Sequence, residues 1–306
     1  MTVPKIVIIG AGNVGSFSAA VMARKQLGTI YLYDILENLA VGRAMDINQG
    51  SPYLHTDSRV TGSDSLDVLD DSDIVIITAG SARHDGMSRL DLLKENLEVI
   101  KTLGAAIMFR CTKAKVLVVS NPVDVLTMYM KTSWPEMNVF GLGCSLDTMR
   151  FRFFVAESFG GSVDCSRGMV IGTHNENMIP LVNHATIGGV PIRHLLTEDT
   201  ITGIVKRTRI AGTAIVHKLR VHSGFYAASH VVTQVVESMV FNRLGTFSLS
   251  VPCRGEYGYN GICLALPCVV GQEGIQRILE IDLQKVEKNS LKICAEAMTE
   301  VSSLFC

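Results

Sequence analysis

Residues 6–15 read Ile6-Val7-Ile8-Ile9-Gly10-Ala11-Gly12-Asn13-Val14-Gly15. Four consecutive β-branched side chains suit a strand buried on both faces, as strands of a parallel sheet are. Glycines end that run, and Val14 to Lys25 continues with spacing that a helix accepts. A strand, a Gly-x-Gly-x-x-Gly turn and a helix, in that order, form a dinucleotide-binding unit. Each glycine has a task in it. Gly10 permits the tight turn, Gly12 lets a pyrophosphate approach the backbone, and Gly15 lets helix and strand pack closely. Asn13 and Val14 open the helix, whose free N–H groups and partial positive charge favour phosphate. Thr29 to Tyr33 reads as the next strand, and Asp34 at its end stands nineteen residues past Gly15. A carboxylate there accepts hydrogen bonds from the adenosine ribose and repels a 2′-phosphate, so the expected cofactor is NAD rather than NADP.

The pattern continues outward. Asp73 to Thr78 and Lys115 to Val119 are two more buried strands, with a long helix from Leu90 to Phe109 between them. Val139-Phe140-Gly141 is a further short strand. Strands alternating with helices imply βαβ units, so the expected fold is α/β, with a Rossmann-type doubly wound parallel sheet over residues 1–142. Residues 143–306 read as an α+β catalytic domain. It has a helix from Leu146 to Phe159, a strand from Cys165 to Thr173, and a turn at Gly188-Gly189. Helical stretches around 197–219 and 225–241 follow, then an antiparallel pair, Thr246–Val251 with Ile262–Val270, and a terminal helix from Asp282 to Leu304.

Composition narrows the function classes. The 306 residues carry 28 Lys plus Arg against 29 Asp plus Glu, a net charge of -1, so no basic excess draws nucleic acid or an anionic membrane. No run approaches the ~20 apolar residues that span a bilayer. Eight cysteines include no C-x-x-C pair and no Cys/His group with zinc spacing, so no metal is expected. Free thiols in a reducing cytoplasm are the expectation, with a small molecule and further copies of the chain as partners.

Further segments carry a family resemblance. Ile76-Ile77-Thr78-Ala79-Gly80, Gly86-Met87-Ser88-Arg89-Leu90-Asp91-Leu92-Leu93 with Asn96, and Val119-Ser120-Asn121-Pro122-Val123-Asp124 resemble successive segments of the lactate/malate dehydrogenases. Leu146-Asp147-Thr148-Met149-Arg150-Phe151-Arg152, Gly172-Thr173-His174, Met178-Ile179-Pro180 and Gly255-Glu256-Tyr257-Gly258 extend the likeness, in order, over almost the whole chain. The resemblance implies that Thr78, Ala79, Gly80, Asn96, Val119 and Asn121 join the glycine loop and Asp34 around NAD. It implies His174 as the acid/base, with Asp147 as its carboxylate partner. Histidine suits the task, because its ordinary pKa of about 6.5 lets it both take and return a proton near neutrality. Asp147 and Arg150 are three apart, so a helix presents them on one face. Arg150 then offers a planar fork to the substrate carboxylate. The resemblance makes Arg89 the residue that polarises the reacting carbonyl when its loop closes, and brings Asn121 to the reacting oxygen or the nicotinamide.

By the same resemblance, substrate choice falls to Arg83, where lactate enzymes usually carry glutamine. A cation there pairs with the second carboxylate of a C4 dicarboxylate, whereas pyruvate's methyl would leave it desolvated and alone. The expected activity is therefore NAD-dependent malate dehydrogenation. Two alternatives stay open: an L-lactate or other 2-hydroxy acid dehydrogenase, and a weakly catalytic NAD(H)-binding paralogue. The chain departs from the family in several places. Asn175-Glu176 replaces Gly-Asp after the histidine, Ala82, His84 and Asp85 alter the loop around Arg83, and Ala228 and His230 change a later helix. These departures bear on turnover and on substrate choice. Gly42 to Pro52, with Arg43-Ala44-Met45-Asp46, resembles a dimer-contact helix, so a homodimer or homotetramer is expected.

Overall fold

The computed structural model describes residues 3–81, 89–220 and 222–302, with backbone alone at 89 and 90. The first half alternates β1 (Lys5–Ile9), α1 (Asn13–Arg24), β2 (Thr29–Tyr33), α2 (Leu39–Gln49), α3 (Ser51–Leu54) and β3 (Val60–Ser63), then β4 (Ile74–Ile77), α4 (Arg89–Arg110), β5 (Lys115–Val118), α5 (Val123–Ser133) and β6 (Asn138–Gly141). The six strands lie in the order β6-β5-β4-β1-β2-β3, every neighbouring pair parallel. Ile6 to Ile9 and Val75 to Ile77 are all 0% exposed, as the unbroken apolar runs require of strands covered on both faces. On α4, Leu93, Asn96, Ile100, Leu103 and Ile107 form one buried stripe at spacings of three and four. The chain direction across the sheet reverses between β1 and β4. In a doubly wound sheet that reversal opens a crevice at the carboxyl ends of the strands.

The second half comprises α6 (Ser145–Phe159), β7 (Ser166–Arg167), β8 (Val170–Ile171), β9 (Ile179–Pro180), β10 (Thr186–Ile187), β11 (Val190–Pro191), α7 (Glu198–Leu219), α8 (Tyr226–Val240), β12 (Gly245–Arg254), β13 (Asn260–Gly271), β14 (Gly274–Ile278) and α9 (Lys285–Ser302). It differs from the sequence expectation in two ways. The strand expected from Cys165 to Thr173 is two short ones, because the chain changes partner at Gly168. β7 pairs with β10, and β8 pairs with β9. Phe151 fills the space beside Gly168, where a methyl group would lie 2.8 Å from its ring. The expected antiparallel pair is instead a three-stranded meander, β12-β13-β14, which joins the first sheet through an antiparallel bridge between Ser250 and Gly141. One sheet of nine strands thus runs through both halves of the chain.

The main core follows that sheet. Ile8, Ile76, Leu117 and Phe140 share it with Val232, Leu249, Leu264 and Leu291. A smaller core around Phe151, Val155, Ile187, Ile192 and Ile204 lies under α6 and α7. Across the halves, α8 packs on α1, where Ser229 Oγ donates to Val14 O at 3.0 Å and Phe17 meets His230 edge to face. Ala228 is buried in the first turn of α8. Among the described residues, no helix is long and apolar enough to cross a membrane, and the seven cysteines are free thiols.

Candidate active site

The crevice between β1 and β4 is built from backbone. Gly10 turns the chain with φ +106°, and its N–H donates to Tyr33 O at 2.8 Å. A methyl on Gly15 would fall 1.9 Å from Gly10 O, so only glycine lets α1 start this close to β1. A methyl on Gly12 would meet nothing within 4 Å, because that position faces the open crevice. The N-terminus of α1 has no side-chain cap and no acidic residue in its first turn. Its first N–H groups, those of Asn13, Val14 and Gly15, therefore point at open space without intrahelical partners. Such a cradle fits an anionic pyrophosphate. Asp34 is half-buried at the rim, its two carboxylate oxygens accepting Ala11 N–H at 2.7 Å and Leu36 N–H at 3.0 Å. It thus ties the glycine loop to the end of β2 and keeps lone pairs for a ribose.

The opposite rim comes from the ends of β4 and β5. Thr78 Oγ1 lies 3.1 and 3.0 Å from the carbonyls of Ile9 and Gly10, stitching β4 to β1. Ala79 and Val119 are half-buried and Gly80 is exposed, so all three can face a ligand. Asn96, which the family resemblance sets beside the cofactor, lies just behind this rim. It is 1% exposed, on the buried stripe of α4. Its amide accepts from Ser81 N at 2.7 Å and donates to Asn121 O at 2.7 Å and Ser81 O at 3.3 Å. Asn96 therefore clasps the loop after β4 to the loop after β5 from behind. Asn121 itself is exposed, and a cis bond joins it to Pro122.

His174, Asp147 and Arg150 come together from two elements. The first turns of α6 place Asp147 and Arg150 on one face, where Arg150 Nη1 donates to Asp147 Oδ1 at 3.0 Å. His174 leaves the Thr173 turn so that Nδ1 lies 2.5 Å from Asp147 Oδ2. Asp147 is 0% exposed, against 22% for the His174 side chain. Burial alone would raise Asp147, but the imidazole and the Arg150 guanidinium hold it below the usual carboxylate range. Burial would likewise lower His174, but the Asp147 charge and hydrogen bond outweigh it and hold the imidazole above its ordinary value. An ionised carboxylate only accepts, so Nδ1 carries its proton and Nε2 is the nitrogen left to exchange one. Among the described residues Arg150 Nε is buried without a partner, and the residue lines a cavity of about 490 Å³ with Ile215, Leu219, Gly224, Phe225 and Ala228.

The Asn175-Glu176 departure leaves His174 seated. Asn175 has no left-handed backbone. Its Oδ1 instead accepts Asn177 N–H at 2.8 Å and the Thr173 hydroxyl at 3.1 Å, closing the turn through a side chain. Arg83 lies outside the described residues, as does the side chain of Arg89, whose backbone begins α4. Sequence reasoning quoted Asp124 within a motif and gave it no role. The structure buries it at the start of α5, where its Oδ2 accepts His174 N–H at 2.7 Å.

Two family models cover the chain. Residues 4–141 match the lactate/malate dehydrogenase NAD binding domain, and residues 144–303 the lactate/malate dehydrogenase alpha/beta C-terminal domain. The malate dehydrogenase of Chloroherpeton thalassium is 36% identical over 97% of this chain and 96% of its own length. That of Geobacillus thermodenitrificans is 38% identical over the same shares, 97% and 96%. Malate dehydrogenase from Picrophilus torridus in its apo form superposes with TM-score 0.95 at 33% identity, covering 99% of this chain and 98% of that one. Lactate dehydrogenase from Eimeria maxima with NADH and oxamate also gives 0.95, at 32% identity over 99% and 94% of the two chains. Matched over nearly its whole length by both domain models, the chain belongs to the lactate/malate dehydrogenase family of NAD-dependent 2-hydroxy acid dehydrogenases.

Proposed function

We propose that the chain interconverts (S)-malate and oxaloacetate with NAD, and that His174 is the general acid/base. The observation that carries the reading is one buried carboxylate, that of Asp147, bonded at once to His174 Nδ1 and to Arg150. Residues 1–142 hold the cofactor. Gly10, Gly12, Asn13, Val14 and Gly15 receive its pyrophosphate, Asp34 its ribose, and Thr78, Ala79, Gly80, Val119 and Asn121 the nicotinamide side. When bound, NAD accepts a hydride from the hydroxyl-bearing carbon and NADH returns one. Residues 143–306 supply the proton chemistry. His174 Nε2 takes the hydroxyl proton during oxidation, and the resulting imidazolium is stabilised against Asp147. In reduction the imidazolium gives that proton to the forming alkoxide. Arg150 holds the 2-oxo acid carboxylate through the donors that Asp147 leaves free. Arg89 polarises the carbonyl, and Arg83 pairs with the second carboxylate.

Malate is favoured over lactate by Arg83 and by malate dehydrogenases 36% and 38% identical to the chain. The test is steady-state NADH oxidation with oxaloacetate and pyruvate side by side, for the wild type and Arg83→Gln. A strong preference for oxaloacetate that falls by about tenfold or more in the variant is expected, since a hydrogen bond between charged groups is worth more than a neutral one. An unchanged ratio of the two specificity constants removes Arg83 as the selector, and no turnover with either acid despite tight NADH binding removes malate and lactate alike, leaving another 2-hydroxy acid or a weakly catalytic NAD(H)-binding paralogue. Self-association belongs to the same proposal. Met45 on α2, 57% exposed, lies in the stretch that resembles a dimer contact, Tyr53, 92% exposed, directly follows it, and solution mass decides between monomer, dimer and tetramer.

A further inference from the structure

Asp124 has no part in the reaction proposed above, yet it is 5% exposed and in direct contact with the histidine segment. Its Oδ2 accepts the His174 main-chain N–H at 2.7 Å across fifty residues of sequence, from the first turn of α5 in the NAD-binding half. Among the described residues, no group reaches its buried Oδ1 with full hydrogen-bond geometry. The Ser250 hydroxyl on β12 faces the carboxylate and helps to hold it as the anion. A carboxylate half-satisfied in the interior is costly, and an asparagine could accept the same N–H without burying a charge. The negative charge itself therefore needs a reason.

We infer that Asp124 is a positioning residue for the acid–base step, fixing the His174 main chain against the NAD-binding half and setting a second negative charge behind the imidazolium. This inference rests on His174 being the acid/base. The imidazole then lies between two carboxylates, Asp147 at ring Nδ1 from α6 and Asp124 at the main-chain nitrogen from α5. Arg150, also on α6, opposes both. Cys144, Cys263 and Cys294 approach the cluster from the start of α6, from β13 and from α9. Burial pushes all three thiols up, so they add no charge near neutrality. Burial also raises Asp124, while the His174 N–H and imidazole pull it back toward the anion.

Asp124→Asn keeps an oxygen for the His174 N–H and removes the charge, whereas Asp124→Ala removes both. The His174 titration is followed by NMR on the full chain, with and without NADH, beside the pH profile of kcat/KM. In Asp124→Asn the imidazole is expected to titrate about one pH unit lower, as loss of a nearby opposite charge dictates, and the acid limb of hydroxy acid oxidation should follow it. NADH affinity stays within about twofold, because no charge near the cradle has changed. Asp124→Ala adds a fall of about ten- to a hundredfold in kcat/KM at every pH, from misplacement of the ring. If the alanine variant does not fold, the nearly isosteric asparagine carries the test. An imidazole that titrates at the wild-type pH in Asp124→Asn overturns the inference alone. A shifted imidazole with an unmoved rate limb overturns His174 as the acid/base, and Asp124's part in the reaction with it.

Discussion

Asp147→Asn removes one charge from a carboxylate with two partners. In the wild type, Oδ2 holds His174 Nδ1 at 2.5 Å and Oδ1 holds Arg150 Nη1 at 3.0 Å, with Asp147 itself 0% exposed. Loss of a charge-assisted hydrogen bond costs about 1.5–3 kcal/mol, or roughly ten- to a hundredfold in rate if the bond strengthens as the imidazolium forms. A second loss comes from the tautomer. An asparagine amide nitrogen turned toward the ring donates to Nδ1, which moves the proton to Nε2 and leaves nothing to receive the hydroxyl proton. Together the two losses lower kcat by about 10²–10⁴-fold, the range of a general base that is present but misprotonated. Arg150 then keeps an oxygen to donate to but loses the opposing charge that anchors it, so KM for the acid rises. The assay is steady-state NADH formation across pH, with NADH affinity measured separately and expected unchanged, since the cradle lies on α1. A kcat within about threefold of wild type, below 1 kcal/mol of barrier, together with an unshifted pH profile, would refute the pairing as the source of basicity.

Gly15→Ala places a methyl 1.9 Å from Gly10 O, a backbone atom that cannot turn aside, and should cost at least about 1–3 kcal/mol in the denaturant midpoint along with cofactor affinity. Gly12→Ala, with nothing within 4 Å, should keep wild-type stability yet bind NADH at least about tenfold more weakly, read by fluorescence titration. Wild-type NADH affinity in Gly12→Ala would remove the pyrophosphate from that position. Asn96→Ala strands Ser81 N–H and Asn121 O, so stability should fall by about 1–3 kcal/mol, checked by urea unfolding. Stability should also depend on pH with opposite signs at the two ends. Asp147, held below the ordinary carboxylate value, contributes above that value and loses its contribution as pH falls through its lowered one. His174, held above the ordinary imidazole value, contributes below that value and loses its contribution as pH rises through its raised one. Thermal melts of the wild type and His174→Asn across pH separate the second from the first.

The parts of the site that repeat along the chain were legible in the sequence. Ile6 to Gly15 announces strand, turn and helix because apolar runs and glycines report local geometry, and Asp147 and Arg150 share a face at helical spacing whatever surrounds them. The His174–Asp147 contact spans 27 residues and came only through family likeness. Asn96 and Asp124 were visible as letters, and their tasks were not. Each is set by what burial brings beside it: Ser81 and Asn121 for one, the His174 main chain for the other. The split of Cys165–Thr173 was hidden for the same reason, because β-branched and apolar letters on both sides of Gly168 do not say that the pairing partner changes. Nor does an antiparallel pattern in β12 and β13 say which edge it will join.

The bridge between Ser250 and Gly141 has a mechanical consequence. A methyl on Gly143 would fall 2.5 Å from Ser250 N, so the chain that leaves the NAD-binding half is pressed directly onto the meander. The crevice therefore has no free hinge behind it, and melting of one half must expose the edge of β6 to water. Calorimetry should record one cooperative endotherm for the whole chain rather than two. Residues 1–142 produced alone would carry β6 as a bare strand edge and should self-associate, despite containing the glycine loop and Asp34 proposed to cradle the nucleotide.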